Sequence, residues 1–290
     1  MTNISELLSF PFAGGQSLGW NEDRVDDLYP APGVRKARAI RAKGIMLEGE
    51  FTPAENAAGL GGASIFCGET LPVTARFSDF AGFRDDFDTH PRGLAVTFRP
   101  RLGPQADVVS HSFNGFPTRR TAEFSFGPRH ARTGGGQAPA PQSYATCAYY
   151  GVDTMALSRA DRRLMFIRSH FVPAAGEHFL TPGEIAARGH DYLREEMMER
   201  LRAGPVVFYF VGEIATPGGD IADPSAAWPE GGPLAVLGTI TLRGVSPGPA
   251  GADGALPVMP DTLADAVMAA RSPLLRRDAG RPFAGQWQPG

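Results

Sequence analysis

Residues 38–51 read RAIRAKGIMLEGEF, and a strand pattern begins within them. From Ile45 to Phe51 apolar and polar residues alternate as in a strand with one buried face, and the run ends in a turn-forming stretch, TPAENAAGLGG (52–62). Three further β-like runs follow: TARFSDFAG (74–82), GLAVTFRP (93–100) and ADVVSHSF (106–113). Turn chemistry separates them and no helical period intervenes, so the spacing implies antiparallel pairing rather than βαβ units.

The remainder of the chain fits the same plan. RRLMFIRSHFVP (162–173) reads as a strand. It leads to Thr181-Pro182-Gly183-Glu184, which has the chemistry of a helix start: a hydroxyl at the cap, proline at the first helical position, and Glu three residues past the cap. Gly189 interrupts that helix, and a second, Asp191 to Arg202, stops at Gly204-Pro205. PVVFYFVGEIA (205–215) and PLAVLGTITLR (233–243) return to strand patterning, and the tail DTLADAVMAARSPLLRRDAGRPF (261–283) mixes weakly helical residues with breakers. Residues 1–35 read as an arm and 36–290 as one barrel domain with a helical insert and a tail. The expected class is α+β, a closed antiparallel barrel with helices outside it.

Composition narrows the function classes. The 290 residues carry a formal net charge of -3 and show no basic run, which argues against a nucleic-acid partner. No stretch approaches the roughly 18 apolar residues of a membrane helix, and the start lacks a cationic, then apolar, secretory signal, so a cytoplasmic protein is expected. Glycine (36) and proline (26) are abundant, as suits a β-rich chain with many turns. Cys67 and Cys147 read as two buried thiols rather than a disulfide. The six histidines show no ligand spacing, so no metal site is expected. RHARTGGGQAPAPQS (129–143) is loop; no lysine closes it and no strand feeds it, so it is not a phosphate cradle.

The order of these segments, with several local motifs, resembles the catalase family, and within it the small catalase-related haem peroxidases. RAIRAKGIMLEGEF is similar to the family's Arg-x-x-His-Ala-(Arg/Lys)-Gly strand. ARFSDFAGFRDDFDTHPRGLAVTF (75–98) is similar to its Arg-Phe-Ser stretch and the following Arg-Gly-x-Ala-Val-x-Phe strand. DVVSHSFNGFPTRRTAEF (107–124), YATCAYYGVD (144–153), VPAAGEHFL (172–180) and WPEGGPLAVLGTITL (228–242) resemble later landmarks. The likeness spans about residues 30–285. It implies an eight-stranded antiparallel barrel with outer helices and a haem buried against one side. A distal histidine would then do the acid–base work, and a proximal tyrosinate would ligate the iron.

Carried across position by position, the resemblance puts Arg41 where the distal histidine belongs. Arg38 and Arg76 match the arginines that meet the haem propionates, Ser78 the serine that holds the distal histidine, and Lys43 and Gly44 the end of the strand motif. Asn114 or Ser112 falls near the distal asparagine. In SPLLRRDAGRPF (272–283), Arg277 stands at the proximal arginine and Arg281 at the tyrosine. After Tyr209 the chain contains no Tyr, His or Cys; Met259 and Met268 remain, neither at the ligand position. A guanidinium offers neither a lone pair to iron nor a base to peroxide. The expectation is therefore a catalase fold without catalase chemistry and without haem.

Two arginines in one cavity would need anions. Asp79, Asp85 or Asp278 could supply them, or a small-molecule ligand, for which a carboxylate or phosphate is the natural class. Arg41 and Arg281 are then either ion-paired filler, ligand-binding groups or parts of a surviving haem site. His111 is a substitute base or a structural histidine; His178 a turn or packing residue; His90 a loop residue; His130 and His190 exposed. Tyr149 and Tyr150 pack, or line a pocket. Three functions stay open: a degenerate haem site reused for a small anionic or aromatic molecule, as in a biosynthetic enzyme; a haem peroxidase or peroxygenase ligated through His111 or water; and a non-catalytic protein acting through contacts. The family resemblance also implies homo-oligomers.

Overall fold

A computed structural model describes residues 44–60, 64–66, 68–79, 86, 92–102, 105–112, 114, 140–151, 154–158, 164–216, 228, 232–246 and 267–269. Residues 1–35, Arg38, Arg41, Lys43, Cys67, Asp85, His90, His130, Arg277, Asp278 and Arg281 lie outside the described residues.

The four early strands are β1 (Gly44–Pro53), β2 (Leu71–Asp79), β3 (Arg92–Phe98) and β4 (Ala106–His111), each pairing antiparallel with the next. They are followed by β5 (Tyr149–Tyr150), β6 (Met155–Ser158) and β7 (Leu164–Pro173). Two helices, α1 (Pro182–Ala186) and α2 (Tyr192–Ala203), precede β8 (Val206–Ile214) and β9 (Leu234–Val245). A final short strand, β10 (Val267–Ala269), falls in the tail whose composition is weakly helical, and pairs with β6. Tertiary pairing overrides local propensity there.

Around the sheet the order is β7, β5, β4, β3, β2, β1, β9, β8, and β8 pairs back onto β7. That closes eight antiparallel strands into a barrel and leaves no open edge within the ring. Strand β7 has two roles: its first half pairs with β6, outside the ring, and its second half with β5.

The alternation read from residues 45–51 sets which face is inside. Phe51 on β1 meets Phe98 on β3 at 5.0 Å and Phe210 on β8 at 6.0 Å between ring centroids, and none of these three strands pairs with another. Such contacts are possible only across the lumen. Phe171 stacks on Phe210 at 4.9 Å, and Phe77 joins Tyr149 and Phe208. These rings fill the interior as a packed aromatic core. On β9, a Cβ at Gly238 would lie 2.3 Å from Cε2 of Phe51, so this glycine makes room for that ring.

A polar network is buried at one end of the strands. Asp79 Oδ1 accepts a 2.9 Å hydrogen bond from the Tyr144 hydroxyl and stands 3.3 Å from Arg92 Nε. Arg92 Nη2 donates to the Asp86 carbonyl at 2.6 Å. Asp86 Oδ2 accepts from the Leu193 N–H at 2.7 Å, so the start of α2 is capped from 107 residues away while its own Asp191 makes no side-chain cap. Tyr192 completes the joint by donating to the Pro141 carbonyl at 2.6 Å. Helix α1 starts as expected, with a capping box in which Glu184 Oε2 accepts from the Thr181 N–H at 2.8 Å. It ends at Ala186, short of Gly189.

Candidate functional site

Because Phe77 faces the lumen, Arg76 and Ser78 on β2 face outward, as do Gly93 and Ala95 on β3 and His111 on β4. Outward residues of a barrel are usually wet, yet Arg76 is only 5% exposed, Ser78 2%, Ala95 8% and His111 6%. A charged and polar wall outside the barrel is thus buried.

Register gives its shape. Gly44, Ser78, Gly93, His111, Tyr150 and His170 are successive cross-strand partners, forming one row over β1, β2, β3, β4, β5 and β7. The adjacent row contains Met46, Arg76, Ala95 and Val109. The smallest side chains fall on β3, between the larger ones of β2 and β4. They make a furrow floored by Gly93 and Ala95, with Arg76 and Ser78 on one bank and Val109 and His111 on the other. Its far end is crossed by the 2.6 Å hydrogen bond from Thr97 Oγ1 to Asp107 Oδ1, with Thr74 alongside and bonded to Arg99. Gly44 has a backbone reason of its own: a Cβ there would lie 2.0 Å from the Phe77 carbonyl oxygen, so only glycine lets β1 begin so close to β2.

Of the site residues expected from sequence, the structure thus brings Arg76, Ser78 and His111 to one face. Asn114 sits past the end of β4 in a bend, half-buried. Asp79 points the other way and is held by Arg92 and Tyr144. His178 belongs to the turn at Gly176, its Nε2 3.1 Å from the Ala175 carbonyl, and His190 is exposed.

Sequence reasoning missed a second buried group farther along the row. His170 Nε2 lies 3.2 Å from Glu213 Oε2, and the His170 ring meets Tyr150 edge-on at 5.0 Å. Arg168, also fully buried, has its guanidinium 4.6 Å from the Trp228 ring centroid and pairs in register with Glu213. The available signal was the placing of Arg168 and His170 at alternate positions opposite to Phe171 within one strand.

Among the described residues, several buried phenols and a thiol lie near this wall, and burial fixes their protonation. Burial, reinforced by Asp79, pushes the Tyr144 phenol well up, and burial likewise raises Tyr149, Tyr150 and Tyr192. These phenols stay protonated. The Cys147 thiol is pushed up to about 12, chiefly by burial and then by Glu177, and is no thiolate ligand. Arg92 has its pKa raised although burial, the largest single influence, opposes its charge, because Asp79 with Tyr144, Tyr192 and Cys147 together outweigh it. Among the described residues no three His, Cys, Asp or Glu side chains gather as a metal site, and no helix is long and apolar enough to cross a membrane.

No family model matches the sequence. The chain is 32% identical over 260 residues to a catalase-related peroxidase of Mycolicibacterium paratuberculosis, covering 79% of this chain and 82% of that protein. It is 27% identical over 281 residues to a catalase-related peroxidase of Synechococcus elongatus, covering 84% and 80%. Two solved structures share the fold at a TM-score of 0.71: a fungal catalase, 19% identical, and catalase A from Saccharomyces cerevisiae, 20% identical. Each match covers 84% of this chain, and 57% and 59% respectively of those longer chains. With that degree of identity over most of both chains, the protein belongs to the catalase-related peroxidase family.

Proposed function

We propose that this family member has given up peroxide dismutation by the family's route and uses the wall outside its barrel to bind a small organic anion. The observation that carries this reading is Arg76, a guanidinium 5% exposed beside a floor of Gly93 and Ala95. A buried cation on a shallow, flat floor favours a planar carboxylate, which can take two parallel hydrogen bonds from it. Sequence supports the same view. Arg41 and Arg281 stand where the family resemblance expects the distal base and the iron ligand, and neither can act as one. With Arg38 and Arg277 they add positive charge to the segments that carry those motifs. His111 is then the group on the wall able to exchange a proton with a bound molecule, which leaves room for catalysis of a non-redox step.

The test begins with protein purified from haem-replete cells. Its visible spectrum should lack a Soret band, and thermal unfolding should move upward with aromatic or aliphatic carboxylates. A stoichiometric Soret band would instead favour haem ligated through His111 or water. No Soret band and no response to any carboxylate or to phosphate would favour a protein that acts through contacts alone.

A further inference from the structure

The chain leaves the barrel at the end of β7 and returns at the start of β8, and the two strands are tied to each other at that point. Pro173 pairs with Phe208, and the Ala174 N–H donates to the Val207 carbonyl at 3.0 Å. The ring is therefore closed without the residues between. The first of these stay on the barrel: the His178 N–H donates to the Thr146 carbonyl at 3.1 Å, and the Leu180 N–H to the Ala140 carbonyl at 2.8 Å. Beyond Leu180 the attachment thins. Helix α1 buries none of its side chains, and α2 buries Tyr192, Leu193 and Met197. At 12 residues, α2 is too short to hold its own hydrogen bonds once detached.

One residue fastens this insert where α2 begins. Asp86, fully buried, donates its N–H to the His190 carbonyl at 3.1 Å, and its Oδ2 accepts from the Leu193 N–H at 2.7 Å. Its carbonyl accepts from Arg92 Nη2 at 2.6 Å and from the Tyr192 hydroxyl at 3.4 Å. A carboxylate at a helix start satisfies an orphan N–H and complements the helix dipole. Arg92 carries the connection onward: its N–H donates to Ser112 Oγ at 2.9 Å, and its guanidinium faces Asp79.

We infer that residues 181–204 form a lid that opens as one unit from a barrel that stays folded, and that Asp86 is the clasp that holds it shut. Opening uncovers the Tyr144–Thr146 turn, on which α2 packs, and wets the Tyr144–Asp79–Arg92 network. A region held by few buried side chains opens at lower free energy than a core whose strands pair on both sides.

The experiment is native-state hydrogen exchange of the full chain, resolved by residue, over a series of low denaturant concentrations. In the wild type the amides of α2 and of Asp86 should exchange through one shared opening, at lower denaturant than the amides of β1, β8 and β9. Asp86→Ala should speed exchange in α2 by about tenfold, and Asp86→Asn, which keeps an acceptor for the Leu193 N–H, by less. Gly238→Ala strains the barrel alone, so it should speed the strand amides by about tenfold and leave α2 at its wild-type rate. If Asp86→Ala fails to fold, Asp86→Asn and the comparison of the wild type with Gly238→Ala still decide. Strand and α2 amides speeding together in Gly238→Ala would show that no separate lid exists. Exchange in α2 unmoved by either Asp86 substitution would remove Asp86 as its clasp.

Discussion

The two faces of the barrel wall are both buried, and for different reasons. Inward-facing positions carry Phe51, Phe77, Phe98, Phe171 and Phe210, whose rings pack together inside the barrel. Outward-facing positions on β2, β4 and β7 carry Arg76, Ser78, His111 and His170, hidden almost as completely. Apolar burial contributes about 25 cal/mol per Å² and holds the fold together; burying Arg76 or His111 gains nothing of that kind and costs desolvation. On the inner face, the Asp79–Arg92 pair joins strands to a helix.

The largest effects should come from breaking the inner face. Phe51→Ala removes a ring that meets Phe66, Phe98 and Phe210, and should cost about 3–5 kcal/mol in denaturant unfolding. Asp79→Ala leaves Arg92 buried beside Tyr144 without that carboxylate, and a loss of about 3–5 kcal/mol is expected by the same measurement. Gly238→Ala drives a methyl group into the Phe51 ring and should cost about 1–3 kcal/mol. Alkaline titration gives a further check. Burial holds the Cys147 thiol up to about 12 in the folded chain, above its ordinary value of 9.0, so its contribution is fully present below pH 9. That contribution is lost as pH rises toward 12, and Tyr144 and Tyr149, also raised, act in the same direction above pH 10. Stability should therefore fall across that range, and Cys147 should resist alkylation until the chain unfolds, as peptide mapping would show. The smallest effect belongs to the outer face: Ser78→Ala should change stability by less than about 1 kcal/mol. A loss comparable to that of Phe51→Ala would erase the distinction between the two walls.

The inner face was legible in the sequence because period-two alternation from Ile45 to Phe51 marks it directly, and the Thr181–Glu184 capping box named its own helix. Strands β5, β6 and β10 were not, since two, four and three residues are too few for a period to show. Arg76, Ser78 and His111 were named individually, but their convergence on one furrow depends on register between β2, β3 and β4, which no local pattern encodes. The His170–Glu213 pair joins residues on two strands separated by both helices, so its partners lie too far apart in sequence to suggest each other. Asp86 capping α2 across 107 residues is the same kind of information.

Whether the chain binds haem is decided by hemin titration of the full chain, followed in the visible region. The wild-type protein should leave the spectrum of free hemin unchanged and accelerate no loss of peroxide, while Arg41→His combined with Arg281→Tyr gains a Soret band. Uptake of one hemin per wild-type chain, with a shifted Soret band and peroxide turnover, would contradict that expectation.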